Sequence, residues 1–274
     1  MGNIAEEHLG IERRALLNIL FIGDVVGEGG CSFLEKNLNA VKKHYSADAV
    51  IVNAENSAVG NGVTPHSANR VLDSGADALT LGNHGLKRRE IYDFLDNEFN
   101  PVVRPANYHP AAPGRGYMIL DKGSVRIGII NIMGIVGMEN IRNPFDIIDE
   151  IIDEIKAEGC KTIIVDFHAE ATAEKKAMGF YLDGRVTALI GTHTHIPTAD
   201  EQILAGGTGY ITDAGMTGPM DSCLGVKKEL AIEKMKTLLP VRFENPDTDC
   251  SMQGVLITAN SEGKCTAIER IEVR

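Results

Sequence analysis

Leu16-Leu17-Asn18-Ile19-Leu20-Phe21-Ile22-Gly23-Asp24 is a short apolar run that stops at a glycine and a carboxylate. Such a run, bounded by a turn residue, reads as a buried strand. Beyond it Leu34, Leu38, Val41 and Tyr45 recur at intervals of three and four, the stripe of an amphipathic helix. Ala49 to Val52 is a second buried strand, leading into Asn53-Ala54-Glu55-Asn56. Thr64-Pro65 has the form of a helix start, with threonine at the N-cap and proline at the first helical position. A third strand, Ala78 to Leu81, runs into Gly82-Asn83-His84, and a helix through Ile91, Phe94 and Leu95 comes next. The resulting β-α-β-α-β-α order predicts parallel strands in a layered α/β fold.

The middle of the chain changes character. Tyr117 to Leu120 and Val125 to Ile132, joined by Asp121-Lys122-Gly123-Ser124, read as a hairpin. Ile147, Ile148, Ile151, Ile152 and Ile155 mark one face of a helix. Two buried strands follow, Thr162 to Phe167 ending at His168, and Val186 to Ile190 ending at Gly191-Thr192-His193-Thr194-His195. Gln253 to Ala259 and Thr266 to Val273 form a last strand pair. Parallel βα units mixed with hairpins predict two sheets packed face to face with helices outside. The hairpins argue against a (β/α)₈ barrel, which needs unbroken βα alternation.

Composition narrows the function. The 274 residues are 43% hydrophobic and 24% charged, ordinary for a soluble enzyme, and no linker-like tract divides them. A formal net charge of −11 argues against a general nucleic-acid or membrane-surface binder but not against a small phosphorylated substrate. The 5 cysteines are scattered without a C-x-x-C pair, which fits a reducing compartment. No segment approaches the roughly 18 apolar residues needed to span a bilayer, and Met1 to Arg14 lacks the apolar run of a signal peptide. The expected location is the cytoplasm. A homo-oligomer is expected from base rates alone.

Asp24, Glu55, Asn83, His168 and the His193/His195 pair each fall just past the end of an expected strand. Ligands of open α/β sheets bind outside those carboxyl ends. Alone, each residue has a blander reading: Asp24 as a helix cap or turn residue, Asn83 as a left-handed turn beside Gly82, His168 as a core histidine. An isolated H-x-H is also only moderately specific, although both rings face one side if the segment is extended. Five strand ends delivering Asp, Glu, Asn and His to one edge make a combined case for a catalytic metal site. Hard oxygen donors mixed with imidazoles suit manganese, iron or zinc, whereas a structural zinc site would be cysteine-rich.

Gly82-Asn83-His84, the later His168, and Gly191-Thr192-His193-Thr194-His195 resemble the ordered signatures of the calcineurin-like metallophosphoesterase superfamily. More narrowly, Phe21 to Gly27, Asn53 to Asn56, Asp166-Phe167-His168-Ala169-Glu170 and Thr212-Asp213-Ala214-Gly215-Met216-Thr217-Gly218-Pro219 resemble the YmdB-like bacterial phosphodiesterases, from about Leu17 to the C-terminus. The resemblance implies a four-layer α/β-β/α sandwich with a dinuclear centre of divalent metal ions, iron or manganese first and zinc third. Carried over by position, Asp24, Glu55, Asn56 and His195 would hold one metal and Glu55, Asn83, His168 and His193 the other, Glu55 bridging. His84 would act as general acid without binding either. Residues 1–15 precede the family's usual start and are expected to be an extension, with residues 16–274 forming one metallophosphoesterase domain. Two departures stand out. Val26 replaces the histidine of the superfamily's D-x-H, with Asn56 as the substitute ligand, and Gly85-Leu86-Lys87 follows His84 where the family carries a Thr-Trp-Asp stretch.

The expected reaction is in-line attack on phosphorus by a hydroxide bridging two metal ions about 3.5–4 Å apart, on a small cyclic-nucleotide-like phosphate ester. Two alternatives remain at this level: a metal-dependent amide or ester hydrolase, and a regulatory, RNA-associated binding protein with little catalysis. Gly215 to Pro219 is expected to be a wall or lid over the substrate, or an ordinary surface loop. Arg104 and Arg115 are loop arginines, either phosphate contacts or solvated surface residues.

Overall fold

The structure, a computed structural model, describes residues 16–123 and 125–274. The expected extension over residues 1–15 lies outside the described residues, as does Ser124 of the hairpin turn. Two sheets account for the strands among the described residues. The first orders β2 (Asp24–Val25), β12 (Met216–Pro219), β13 (Cys250–Ala259), β1 (Leu17–Ile22), β3 (Ala49–Asn53), β4 (Ala78–Thr80) and β5 (Val102–Val103), with β14 (Cys265–Val273) on β13. The second orders β10 (Gln202–Ile203), β11 (Gly209–Ile211), β9 (Ala188–Thr192), β8 (Thr162–His168), β7 (Arg126–Met133) and β6 (Tyr117–Asp121). β1, β3, β4 and β5 run parallel, as do β7, β8, β9 and β11 and the β2–β12 pair, while β13 is antiparallel to β1, β12 and β14 and the edge strands β6 and β10 of the second sheet pair antiparallel. Both sheets are therefore mixed.

The layering follows from residues that alternate between two buried faces. Ile19 and Phe21 point between the sheets and meet Ile129, Ile164 and Ile190 of the second sheet. Leu20 and Ile22 point the other way, against Leu34 and Leu38 of α1 (Gly27–His44) and Val71 of α2 (Pro65–Asp73). Ile130 and Val165 turn outward against Ile148, Ile151 and Ile155 of α4 (Ile148–Ala157) and Met178 of α5 (Thr172–Tyr181). Helices thus cover both outer faces. That is why the strands read as continuous apolar runs rather than alternating ones. Thr64 does cap α2, its hydroxyl accepting from Ser67 N–H while Ser67 accepts from Thr64 N–H. The helix expected through Ile91 is a 3₁₀ turn followed by the short α3 (Tyr92–Asp96). A last helix, α6 (Lys228–Thr237), lies on the surface with only Ala231 buried. No helix among the described residues is long and apolar enough to cross a membrane.

One expectation fails here. Gly215 to Pro219 is neither lid nor surface loop, which leaves a wall as the one expected reading that its position in the sheet does not contradict. Most of it is β12, built into the first sheet between β2 and β13 and largely buried. Its partners, Asp24–Val25 and Cys250–Met252, are remote in the chain, so no local pattern betrays the pairing.

Candidate metal centre

The carboxyl ends of β1, β3, β4, β8 and β9 meet at one edge of the sandwich, and each ends in a residue of the expected set. Asp24 follows Gly23 on the short β2; Glu55 and Asn56 follow β3; Asn83 and His84 follow β4; His168 is the last residue of β8; His193 and His195 follow β9. Asp24, Glu55 and His168 are fully buried and Asn56 is nearly so. All the expected site residues come together.

Three imidazoles are oriented by what lies behind them. His168 Nδ1 is 2.9 Å from the Thr192 hydroxyl, which in turn donates to Asp166 Oδ1 at 2.7 Å. With its hydrogen committed to a carboxylate, the Thr192 oxygen accepts from His168 Nδ1–H, leaving Nε2 to face the site. His193 Nε2 lies 3.1 Å from Glu170 Oε2, which leaves Nδ1 inward. His195 Nδ1–H donates to Leu224 O at 3.0 Å, which leaves Nε2 inward. Fixing the outer nitrogen of a ligand histidine is how proteins set its tautomer.

The inner atoms then face one another. His168 Nε2 is 3.1 Å from His193 Nδ1, 3.1 Å from Asn83 Oδ1 and 3.3 Å from Glu55 Oε2. Ligand atoms of Glu55, His168 and His193 lie within 4.8 Å of one another. In that tautomeric arrangement all four are acceptors, a grouping that fits a cation. Beside it, Asp24 Oδ1 is buried without a hydrogen-bond partner and stands 3.6 Å from His195 Nε2. Asn56 joins the two groups, its Nδ2 at 2.8 Å from Glu55 Oε1 and 3.4 Å from His195 Nε2. Its Oδ1, the atom a cation would take, faces His84 Nδ1 at 2.7 Å. Gly82 makes room for the cluster: a Cβ there would stand 2.3 Å from both Glu55 Oε2 and His168 Nε2.

The charges are strongly interdependent. Burial alone would raise the Glu55 carboxyl, but His168 and His84 hold it well below its usual range. Burial disfavours charge on His168, yet Glu55, Asp24 and Asp166 push it up to about 9. Asp24 is likewise held low against burial by His195, and His193 is lowered by burial and by the neighbouring His168. Protons thus substitute for positive charge that the carboxylates demand.

The H-x-H pair does not reach the site as an extended segment. β9 ends at Thr192, and His193 and His195 adopt left-handed backbone conformations, φ +98° and +62°. Nor does Arg104 or Arg115 present itself to a phosphate. Arg104 is buried and donates to the carbonyls of Pro105, Ala112 and Pro113, while Arg115 donates to those of Glu98 and Asn100. Both staple the loop before β6. Sequence reasoning missed Asp166, Thr192 and Glu170. The period of a strand carried the signal for one of them, since Asp166 and His168 share a face of β8.

The fold has solved counterparts. It aligns with a 5′-nucleotidase precursor from Thermus thermophilus at TM-score 0.56 and 14% identity, over 94% of this chain and 54% of that one, a likeness of fold alone. A crystal structure described as a novel phosphatase from Mycoplasma pneumoniae is far nearer, at TM-score 0.87 and 32% identity over 94% and 93% of the two chains. The 2′,3′-cyclic-nucleotide 2′-phosphodiesterase of Bacillus subtilis (strain 168) is 43% identical over 256 residues, 93% of this chain and 96% of the relative. Fold and relatives define a phosphoric ester hydrolase on the metallophosphoesterase sandwich. A family model described as YmdB-like protein matches residues 20–271, and the chain belongs to that family.

Proposed function

We propose that this chain is a dinuclear metal-dependent phosphodiesterase acting on small, cyclic-nucleotide-like phosphate esters. The observation that carries the reading is the meeting of His168 Nε2, His193 Nδ1, Asn83 Oδ1 and Glu55 Oε2 around one point, next to the unpartnered Asp24 Oδ1. Asp24, Glu55, Asn56 and His195 would hold one cation, with the Asn56 amide turned over to present Oδ1. Glu55, Asn83, His168 and His193 would hold the second. This mixture of carboxylate, amide and imidazole donors suits iron, manganese or zinc. The activity for which the Bacillus relative is named supports a 2′,3′-cyclic nucleotide as the substrate class.

Two divalent cations, when bound, supply an acidified water and neutralise charge on phosphoryl oxygens. The protein's own part is orientation and proton handling. The His84 backbone N–H donates to Glu55 Oε2 at 3.0 Å and its Nδ1 lies 3.3 Å from Glu55 Oε1, so the residue is held to one carboxylate at two points. Nε2 is left on the far side, 3.4 Å from Asn61 Nδ2. With the Asn61 amide turned to offer its otherwise unpartnered Oδ1, a protonated Nε2 can deliver a proton to the departing ester oxygen, a role worth roughly 10²–10⁴-fold.

Assays with bis-p-nitrophenyl phosphate, p-nitrophenyl phosphate, p-nitrophenyl acetate and a 2′,3′-cyclic nucleotide, before and after Mn²⁺ is added to stripped protein, test this. Metal-dependent cleavage of the two diesters is expected. Cleavage of the acetate alone would point to carbon chemistry, and inactivity on all four to a binding protein; either overturns the proposal.

A further inference from the structure

Lys175 on α5 and Asp213, between β11 and β12, form an ion pair at 2.8 Å with both side chains fully buried. Taking two charges out of water is costly, and apolar residues of similar volume commonly serve stability as well. The pair's use therefore lies in what its carboxylate holds. Besides Lys175 Nζ, Asp213 Oδ2 accepts from the Thr194 N–H at 3.1 Å and the Thr194 hydroxyl at 2.8 Å, while Oδ1 accepts from Gly215 N–H at 2.9 Å. Thr194 is the residue between His193 and His195, whose left-handed conformations are strained for a non-glycine residue. Such conformations persist only where the surroundings over-determine them. The packing is close: a Cβ on Gly191 would meet Thr212 O at 1.8 Å and Lys175 Cδ at 3.0 Å. The same segment reaches Asp24, whose N–H donates to Gly215 O at 3.1 Å.

We infer that the buried Lys175–Asp213 pair is a positioning device for the metal centre: Lys175 holds Asp213, Asp213 clamps Thr194, and the clamp keeps His193 and His195 turned so that their inner nitrogens face the cations. Lys175 and Asp213 act through Thr194 and are positioning residues. The inference rests on the dinuclear reading above. Without the clamp, the two histidines relax toward ordinary backbone conformations and the site must pay that ordering cost when a cation arrives.

Calorimetric titration of Mn²⁺ alone into the stripped full chain tests it. The double variant Lys175→Met/Asp213→Asn removes both charges with little change of shape. It is expected to fold, by circular dichroism, yet to bind Mn²⁺ some 10–100-fold more weakly, the loss typical of outer-shell partners. Its kcat should largely return at saturating Mn²⁺, which a general structural defect would not allow. Thr194→Val, which deletes one hydrogen bond, should weaken binding less, and Thr194→Ser should restore it; this pair decides independently of how the double variant folds. Wild-type Mn²⁺ affinity in both the double variant and Thr194→Val overturns the inference alone. Failure of the wild-type chain to bind Mn²⁺ overturns the dinuclear reading itself.

Discussion

Glu55 Oε2 lies 3.3 Å from His168 Nε2, with both side chains sealed from solvent. The other oxygen, Oε1, faces Asn56 Nδ2 at 2.8 Å and His84 Nδ1 at 3.3 Å. One carboxylate therefore spans the two groups of candidate ligands, one oxygen facing each. Glu55→Ala is expected to lower the metal content, by elemental analysis of purified protein, to one ion or fewer per chain and to abolish diester cleavage. An unchanged metal count with full activity would refute the shared role.

His84 touches the same carboxylate but through its backbone N–H and Nδ1, with Nε2 turned away. His84→Ala should thus retain its metal while kcat falls roughly 10²–10⁴-fold, the usual worth of a positioned proton donor. If the variant loses its metal instead, His84 is a ligand and the assignment fails.

Gly82 offers a purely steric test. Its backbone lies outside the left-handed region, so alanine meets no conformational objection there. The added Cβ, however, would sit 2.3 Å from Glu55 Oε2 and from His168 Nε2, neither of which can retreat from a fully buried position. Gly82→Ala should fold and yet lose at least about 10²-fold in kcat/KM, as displacements near 1 Å commonly cost. Near-normal kinetics would mean that the cluster is more yielding than its burial implies.

These residues were legible in sequence because each stands at the end of an apolar strand, and strand ends in a parallel arrangement share one edge. The layers were legible too, since runs such as Ile19 to Ile22 have no polar face to offer water. The conformation of His193 and His195 was not, because Asp213, almost twenty residues on, imposes it through Thr194. Gly215 to Pro219 was misread for the same reason: its strand character comes from Asp24–Val25 and Cys250–Met252, not from its own composition. Arg104 looked like a surface or phosphate-binding residue, yet three backbone carbonyls occupy its guanidinium. Local pattern reports which face of an element is apolar; it is silent about polar bonds that close over long chain separations.

Thr192 tests the tautomer argument. Its oxygen accepts from His168 Nδ1 and its hydrogen goes to Asp166 Oδ1, at 2.9 and 2.7 Å. Thr192→Val keeps the shape but strips both partners of a bond inside a sealed region. Leaving a buried polar group unpaired costs about 1–3 kcal/mol, and loosening an outer-shell contact costs roughly 10–100-fold in metal affinity. Urea unfolding and Mn²⁺ titration should register both losses, and Thr192→Ser should recover most of each. A valine variant with wild-type Mn²⁺ affinity would show that the ring needs no help to choose its proton.

Far from the site, Asp77 joins three elements at the opposite ends of the strands. Its Oδ2 accepts from Lys42 Nζ of α1 at 3.0 Å and from Val50 N–H of β3 at 2.9 Å, and its Oδ1 accepts from Lys122 Nζ of the β6–β7 turn at 2.9 Å. The last contact crosses from one sheet to the other. Partial burial works to raise this carboxyl, but the two lysines and the Val50 amide prevail and hold it below 3.8. A carboxyl whose folded value is depressed binds protons more readily in the unfolded chain, so its contribution is complete above 3.8 and is lost as pH falls through 3.8 toward the folded value. Asp77→Asn should accordingly cost about 1–2 kcal/mol at pH 7, from weakened charge-assisted hydrogen bonds, and progressively less as the pH is taken from about 5 to about 3. Paired urea denaturations of wild type and variant across that range measure the difference directly. A gap that stays constant down to the acid end would show that the charge of Asp77 is not what ties the two sheets together.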